Sequence, residues 1–528
     1  MKSFKAAVLF SVVLSLHNVS MAKTETIRIN QKSLTVQSAP GFGSFSRNAF
    51  SKINVQGFQN TQVVGRASLP VKTWILVGKP EDITVTVDVQ RRQVLKNTIP
   101  FPTQEQPCRC VTDKKISFAF DAASYAPSRS GQRADQYTMT YLGAYKGHSI
   151  TQLNVPLAHF DAATNEVVLD TGVTVTHNTT EFSLQNEDLK NYLIIVPDAL
   201  ASGLDDFRVW KQSLGYNVVV EKLSSPNTTT QAVAQIIQDY YSRKQADFVM
   251  IIGDSKTVPM FQVKTSGDAK TPSDLKYFLM DGATDLIPDI YSSRIVANNA
   301  NDVKIKLAKA IEFEKHSFID ANGLNTIIGI ASNEGNSPSD DEYVKNIEAQ
   351  FQQKMNFKSV HFYQNDKKSN PTELNKTLSA GAVWLTYLGH GSGTSWPSMN
   401  KEYSMSSFSG IKNKDTVKPI VIDVACMNGR LESNYLGTSF INVLGLTPND
   451  AFGAAAYLGG SVNISWHPPA IMATGIAIEH SAKNFSHLGQ AILAGQLYLA
   501  GNWSNPTEVM DNLEWYHLQG DPGMNIHF

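Results

Sequence analysis

The chain has 528 residues, of which 42% are hydrophobic and 18% charged, with a formal net charge of −1. That length exceeds one ordinary hydrophobic core, so two or more domains are expected. The balanced charge gives no field for nucleic acid or an anionic membrane, and three cysteines are too few for a disulfide scaffold.

At the N-terminus, Lys2 and Lys5 precede the apolar run Ala6–Leu16, and Ser20-Met21-Ala22 supplies small residues. This pattern predicts a secretory signal peptide over residues 1–22, cut after Ala22. The run is too short to span a bilayer, and no later stretch is long and apolar enough. An exported protein is expected, extracellular or periplasmic, with no membrane span in the mature chain.

Residues 23–188 read as β-rich. Short alternating runs recur at Glu25–Ile29, Trp74–Val77, Ile83–Val89, Ile116–Phe120, Gln136–Tyr145, Val167–Leu169 and Val173–His177, separated by turn residues. Such spacing predicts an all-β sandwich or barrel. Cys108 and Cys110 lie close together in a polar, Pro-flanked loop, and Ala126–Asp135, carrying Arg129 and Arg133, reads as a loop tip open to nicking.

The pattern changes near Leu189. Strands at Leu193–Val196, Asn217–Val220, Phe248–Ile252, Thr326–Ile330 and Ser359–Tyr363 alternate with helices at Leu204–Leu214, Thr229–Arg243, Asp302–Phe318, Asp340–Lys354 and Thr372–Ser379. A strand at Ala454–Leu458 and helices within Ile471–Ala500 and Thr507–Leu513 follow. Residues 189–528 therefore predict an α/β domain with a mostly parallel, doubly wound sheet.

Two apolar runs in this half, Val383–Leu388 and Pro419–Ala425, each end beside a glycine-rich turn. The first delivers His390 and the second Cys426. In open α/β sheets the working groups sit just past the carboxyl ends of strands. The separation of 36 positions fits one crossover between neighbouring parallel strands. A thiol is a useful nucleophile only as thiolate, so it needs a base or cation beside it, and His390 is the candidate. The amides of Gly391 and Cys426 could hold a developing oxyanion. A satisfied structural histidine and an inert buried cysteine stand as the alternative. No HExxH, CxxC, P-loop or GxSxG pattern is present, and no local spacing completes a zinc site.

Tyr387-Leu388-Gly389-His390-Gly391-Ser392-Gly393-Thr394-Ser395-Trp396, with Asp423-Val424-Ala425-Cys426-Met427-Asn428-Gly429, resembles the gingipain-type cysteine peptidases of the caspase-like group. Asn191–Pro197 with Trp210-Lys211, Ser461–Pro469 and the closing Gly520-Asp521-Pro522 extend the likeness through the second half. Tyr141–Gly147 and Asn154-Val155-Pro156 are similar, more loosely, to the family's pro-domain. The resemblance implies a caspase-like peptidase fold with Cys426 as nucleophile and His390 as acid/base. It also implies that Glu334 orients the histidine, that Asp340 receives a basic side chain, and that Trp466 covers that pocket. By the residues alone, Glu334 reads more readily as a solvated loop carboxylate, Asp340 as a helix N-cap compatible with the pocket role, and Trp466 as a half-buried aromatic at a loop end.

The implied protein is a secreted endopeptidase made as a zymogen, cutting after Arg or Lys, with peptide substrates and its own pro-domain as inhibitor. Cleavage in Arg129–Arg133 or beside Lys190 would release that pro-domain. No cofactor is needed for the chemistry, while the family likeness allows structural Ca²⁺ at Pro338–Glu342 or Asp281–Asp289. Arg430-Leu431 departs from the family's Asp-Phe after the nucleophile turn, and no sorting module follows the GDP motif, so attachment to the outer surface is not expected. Two other readings share the scaffold: a transpeptidase using the same Cys/His pair, and a non-catalytic binding protein.

Overall fold

The computed structural model describes residues 22–39, 49–110, 117–127, 136–224, 228–318, 320, 322–335, 338–432, 435–442 and 452–527. The signal-peptide run, Arg129 and Arg133 lie outside the described residues.

The N-terminal half is built from antiparallel strands. Lys23–Arg28, Glu166–His177 and Val85–Leu95 pair in that order, with Ala158–Asp161 beside Glu166–His177. The two expected runs Val167–Leu169 and Val173–His177 are one strand, interrupted by a register shift at Asp170–Gly172. A second sheet orders Gln59–Asn60, Pro70–Val77, His148–Pro156 and Thr138–Tyr145. The inward residues Ile27, Leu76, Val155, Leu169 and Val175 form one apolar core. The expected strand at Ile116–Phe120 is not formed: Ser117–Phe120 is irregular, and Phe118 and Phe120 pack around Phe50 instead.

Among the described residues, the C-terminal half carries two large sheets where one was expected, besides two short two-stranded ones. The first is wholly parallel, in the order Asn217–Leu223, Asn191–Pro197, Phe248–Ile252, Tyr291–Ile295. Phe248–Ile252 is buried at every residue, as a parallel strand covered on both faces must be. The second orders Lys358–Tyr363, Thr326–Ala331, Trp384–Leu388, Ile420–Val424, Ala456–Gly460 and Tyr516–Gln519, the last antiparallel. Hydrophobic periodicity marks each strand but carries no signal for which strands pair. One continuous apolar core runs beneath both sheets.

A buried charge cluster ties the two sheets together. Lys211, fully buried, reaches Glu314 at 2.8 Å and also contacts Asp521 of the closing GDP motif, to which Tyr192 donates at 2.7 Å. The motif is therefore an internal anchor.

The two halves dock through polar contacts. Gln152 Nε2 donates to the carbonyls of Ala500 and Trp503 at 2.7 and 2.9 Å, and the Tyr145 and Tyr291 hydroxyls share a 2.6 Å bond. The hairpin turn at Gly143–Gly147 sits on Asp281, Asp285 and Asp289, whose carboxylates accept the amides of Gly147, Ala144 and Lys146. Gly143, at φ +125°, is required here: a Cβ would strike the Asp285 carboxylate and the Leu286 amide.

Candidate active site

Trp384–Leu388 and Ile420–Val424 are neighbouring parallel strands, with Leu388 paired to Val424. The chain leaves each at the same sheet edge, which brings the His390 and Cys426 turns together. A Cβ at Gly391 would overlap the Cys426 carbonyl and amide, so only glycine lets the turns meet this closely.

Both turns are pinned from behind. The His390 amide donates to Ser398 Oγ at 2.9 Å, and Tyr387 OH donates to the His390 carbonyl at 2.6 Å. Asn428, fully buried, accepts from the Gly393 amide at 2.9 Å and donates to the Ser395 carbonyl and to Asp423. Asp423 also accepts from Trp396 Nε1 at 2.7 Å and from the Tyr457 hydroxyl. Burial raises its carboxyl to about 6, against the pull of those donors. This buried network joins the histidine turn to the cysteine turn. Its only sequence sign was the pair of motifs themselves.

His390 Nε2 lies 3.0 Å from Glu334 Oε2. The carboxylate bond raises the imidazole's pKa while partial burial opposes it, and the same bond lowers that of Glu334. Glu334 thus stands against the imidazole, not free in solvent. Cys426 is fully buried, and burial pushes its thiol up to about 12, although the Ile464 amide, donating to the sulfur at 3.2 Å, favours thiolate.

What buries the sulfur is a segment from the other half of the chain. Cys108-Arg109-Cys110 lies across the site, paired with Ser465 on one side and Gly391 on the other. The Arg109 amide donates to the Ile464 carbonyl at 3.0 Å, and the Arg109 carbonyl accepts from the Gly391 amide at 2.9 Å. The Arg109 side chain is fully buried, with Nη1 and Nη2 at 2.9 and 2.7 Å from the two oxygens of Asp340. Its Nε donates to the Trp466 carbonyl at 2.9 Å, and the guanidinium carbon stands 4.4 Å from the Trp466 ring centroid. Burial opposes the charge on Arg109, but Asp340 outweighs it and raises the guanidinium pKa. Asp340 also accepts from Ser332 Oγ at 2.6 Å.

Asp340 is not the helix N-cap. Ser339 caps Asp340–Met355, and Glu342 accepts the Ser339 amide at 2.8 Å. Asp341 turns away to Ser339 Oγ and Lys345, so it does not compete for the pocket. Trp466 is 3% exposed, stacks edge-on to His390, and is buried rather than half-buried. Arg430 donates to the Ser461 carbonyl at 3.2 Å and to the Tyr435 hydroxyl at 2.8 Å. Lys190 is exposed and pairs with Asp188. Arg109 was missed in the sequence, where Cys-Arg-Cys directly after Pro107 was its sole mark.

The two loops considered for calcium carry carboxylates that are already engaged. Asp285 and Asp289 accept amides on both oxygens, from Ala144, Ile287 and Asp281, and from Lys146 and Met280. Asp340 holds Arg109, and Asp341 holds Lys345. Both loops act as anchors, and Asp281, Asp285 and Asp289 also bring carboxylate oxygens within 4.8 Å of one another, a group that could hold a metal ion.

Among known proteins, residues 185–527 match the model of peptidase family C25. Gingipain R2 of Porphyromonas gingivalis is 25% identical over 350 residues, covering 63% of this chain and 45% of the relative. Lys-gingipain W83 of the same organism is 22% identical over 544 residues, covering 89% of this chain and 30% of the relative. The chain thus spans less than half the length of these curated relatives. The crystal structure of the Arg-specific cysteine proteinase gingipain R superposes with a TM-score of 0.58 at 20% identity, over 65% of this chain and 80% of that one. A complex of RgpB pro- and mature domains from P. gingivalis gives 0.56 at 21% identity, over 63% and 79%. The same residues that form the two large sheets of the C-terminal half are those the family model covers, and the chain belongs to peptidase family C25.

Proposed function

We propose that this chain is an exported cysteine endopeptidase that cleaves after arginine, and less readily after lysine, and that its N-terminal half holds it latent. The observation that carries the reading is Arg109. Its side chain meets Asp340 two oxygens to two nitrogens, while its carbonyl rests on the Gly391 amide. A substrate would present the same two features.

In the proposed reaction the Cys426 sulfur attacks the carbonyl carbon after the basic residue. The Gly391 amide stabilises the oxyanion, and His390 takes the Cys426 thiol proton and, its imidazolium favoured by the Glu334 carboxylate, passes it to the departing amine as the C–N bond breaks. Water then hydrolyses the thioester and restores the thiol. Asp340 selects the side chain, since a neutral one would leave its buried carboxylate unpaired. The planar guanidinium fork fits a carboxylate bidentately where an ammonium cannot, which sets the preference for arginine. Relatives named for arginine and for lysine support a basic pocket without choosing between them.

Latency has two parts. Arg109 fills the pocket, and the segment's burial of Cys426 keeps the thiol protonated. A series of peptides varied at the residue before the cut tests the reading, using the processed enzyme. Arg above Lys, with Leu and Ala negligible, is expected. Equal turnover of Leu peptides, or full activity retained by Cys426→Ala, would refute it.

A further inference from the structure

The proposed peptidase leaves one feature of the blocking segment unused. Cys108 and Cys110, on either side of Arg109, are joined to each other by a disulfide, with Cα atoms 5.2 Å apart. The third cysteine, Cys426, is free, and its sulfur lies within 4.8 Å of both.

The connectivity has a topological result. The peptide bond between Arg109 and Cys110 is the one whose carbonyl rests on the Gly391 amide, in the position of a scissile bond. The disulfide closes a ring that contains this same bond. Hydrolysis there would add one water, giving an Arg109 carboxylate and a Cys110 amine, and would leave the S–S bond untouched. The two new ends would stay joined. The departing side would remain at high local concentration beside the acyl group, favouring resynthesis over escape. The guanidinium would stay in its pocket.

We propose that the Cys108–Cys110 disulfide redox-gates this active site, so that self-cleavage after Arg109 opens the cleft only once a thiol reductant has also broken the disulfide. This rests on the peptidase reading above. Two equivalents of reducing thiol supply two electrons and two protons, giving free Cys108 and Cys110 and one oxidised reagent disulfide. The Arg109 end and the Cys110 end then separate, and Cys426 is uncovered. The chain elsewhere need not dissociate, because Val85–Leu95 before the cut remains paired with Glu166–His177 after it. The gate is a local one.

The test uses the full chain, prepared oxidised, beside a Cys108→Ser/Cys110→Ser double variant that keeps Arg109. Each is incubated with and without a phosphine reductant. Cutting after Arg109 is followed by denaturing gels run reduced and unreduced, and opening by turnover of an arginine peptide. For the parent chain we expect two fragments on the reduced gel that run as one on the unreduced gel. Turnover should rise at least tenfold on reduction. The double variant should give separate fragments on both gels and turn over peptide without reductant, and its residual response to reductant measures oxidation of Cys426 itself.

Separate fragments from the unreduced parent chain, or equal reductant dependence in both proteins, would overturn the gate and leave the peptidase reading standing. A Cys426-linked peptide in a map of the oxidised chain would also overturn it, since the nucleophile would then be opening the pair by exchange. No cut after Arg109 and no turnover in either protein under any condition would sink the peptidase reading, and the gate with it.

Discussion

Arg109→Ala should unlock Cys426 without any cut. In the latent chain Cys426 has no exposed surface, so its reaction with iodoacetamide reports the fraction of time the segment is lifted. Cys108 and Cys110 are disulfide-bonded, which leaves Cys426 as the only free thiol. Arg109→Ala removes two charged hydrogen bonds to Asp340, a third bond to the Trp466 carbonyl and the stacking on its ring. Truncating one partner of a buried charge pair costs about 2–5 kcal/mol, much of it from the charge left unpaired. Asp340 would keep only the Ser332 hydroxyl. At about 1.4 kcal/mol per decade, that range corresponds to an open fraction roughly 30- to 4,000-fold larger. Where opening is fast relative to alkylation, the labelling rate rises by the same factor. Arg109→Lys, which keeps the charge and loses the fork, should fall between. An alkylation rate within threefold of the parent in Arg109→Ala would mean that the ion pair does not hold the segment down, and the account of latency would fail.

Three further outcomes follow from the geometry. Gly391→Ala forces a Cβ into the Cys426 backbone and displaces the amide that meets the scissile carbonyl; kcat on an arginine peptide should drop by about 10²–10³ with KM little changed. Glu334→Gln removes the partner that raises the His390 pKa. The imidazolium is then lost at lower pH, so the alkaline limb of the kcat/KM profile should move to lower pH while the acid limb stays. Asp521→Asn strips one carboxylate from buried Lys211 far from the cleft. Thermal unfolding should show a loss of about 3–5 kcal/mol, with the specificity ratio of arginine to lysine peptides unchanged.

The reactive strands were legible because each is a short, mostly apolar run beside a glycine-rich turn. Val383–Leu388 and Pro419–Ala425 became Trp384–Leu388 and Ile420–Val424, buried throughout. The split into two sheets was not legible, because Tyr291–Ile295, the edge of the first, is interrupted by Ser292, Ser293 and Arg294. That polarity has a structural cause: Arg294 is buried against Asp274 and the Gly253 and Val258 carbonyls. The family motifs led to His390, Glu334 and Asp340 because those residues sit in local patterns. Arg109 meets Asp340 across 231 residues, a contact no local pattern encodes. A charged residue flanked by two cysteines was the available clue, and its meaning depended on knowing what it faced. In the sequence Asn428 is simply part of a turn, although its side chain is what couples the two turns.

The central claim is that one sulfur, Cys426, attacks a carbonyl held by Gly391 while Asp340 grips a basic side chain. Labelling the reduced, processed enzyme with an arginyl chloromethyl ketone and mapping the adduct tests it most directly. The account predicts a single adduct on Cys426, lost when Asp340 is replaced by Asn. An adduct on another residue, or equal labelling by an alanyl chloromethyl ketone, would contradict it.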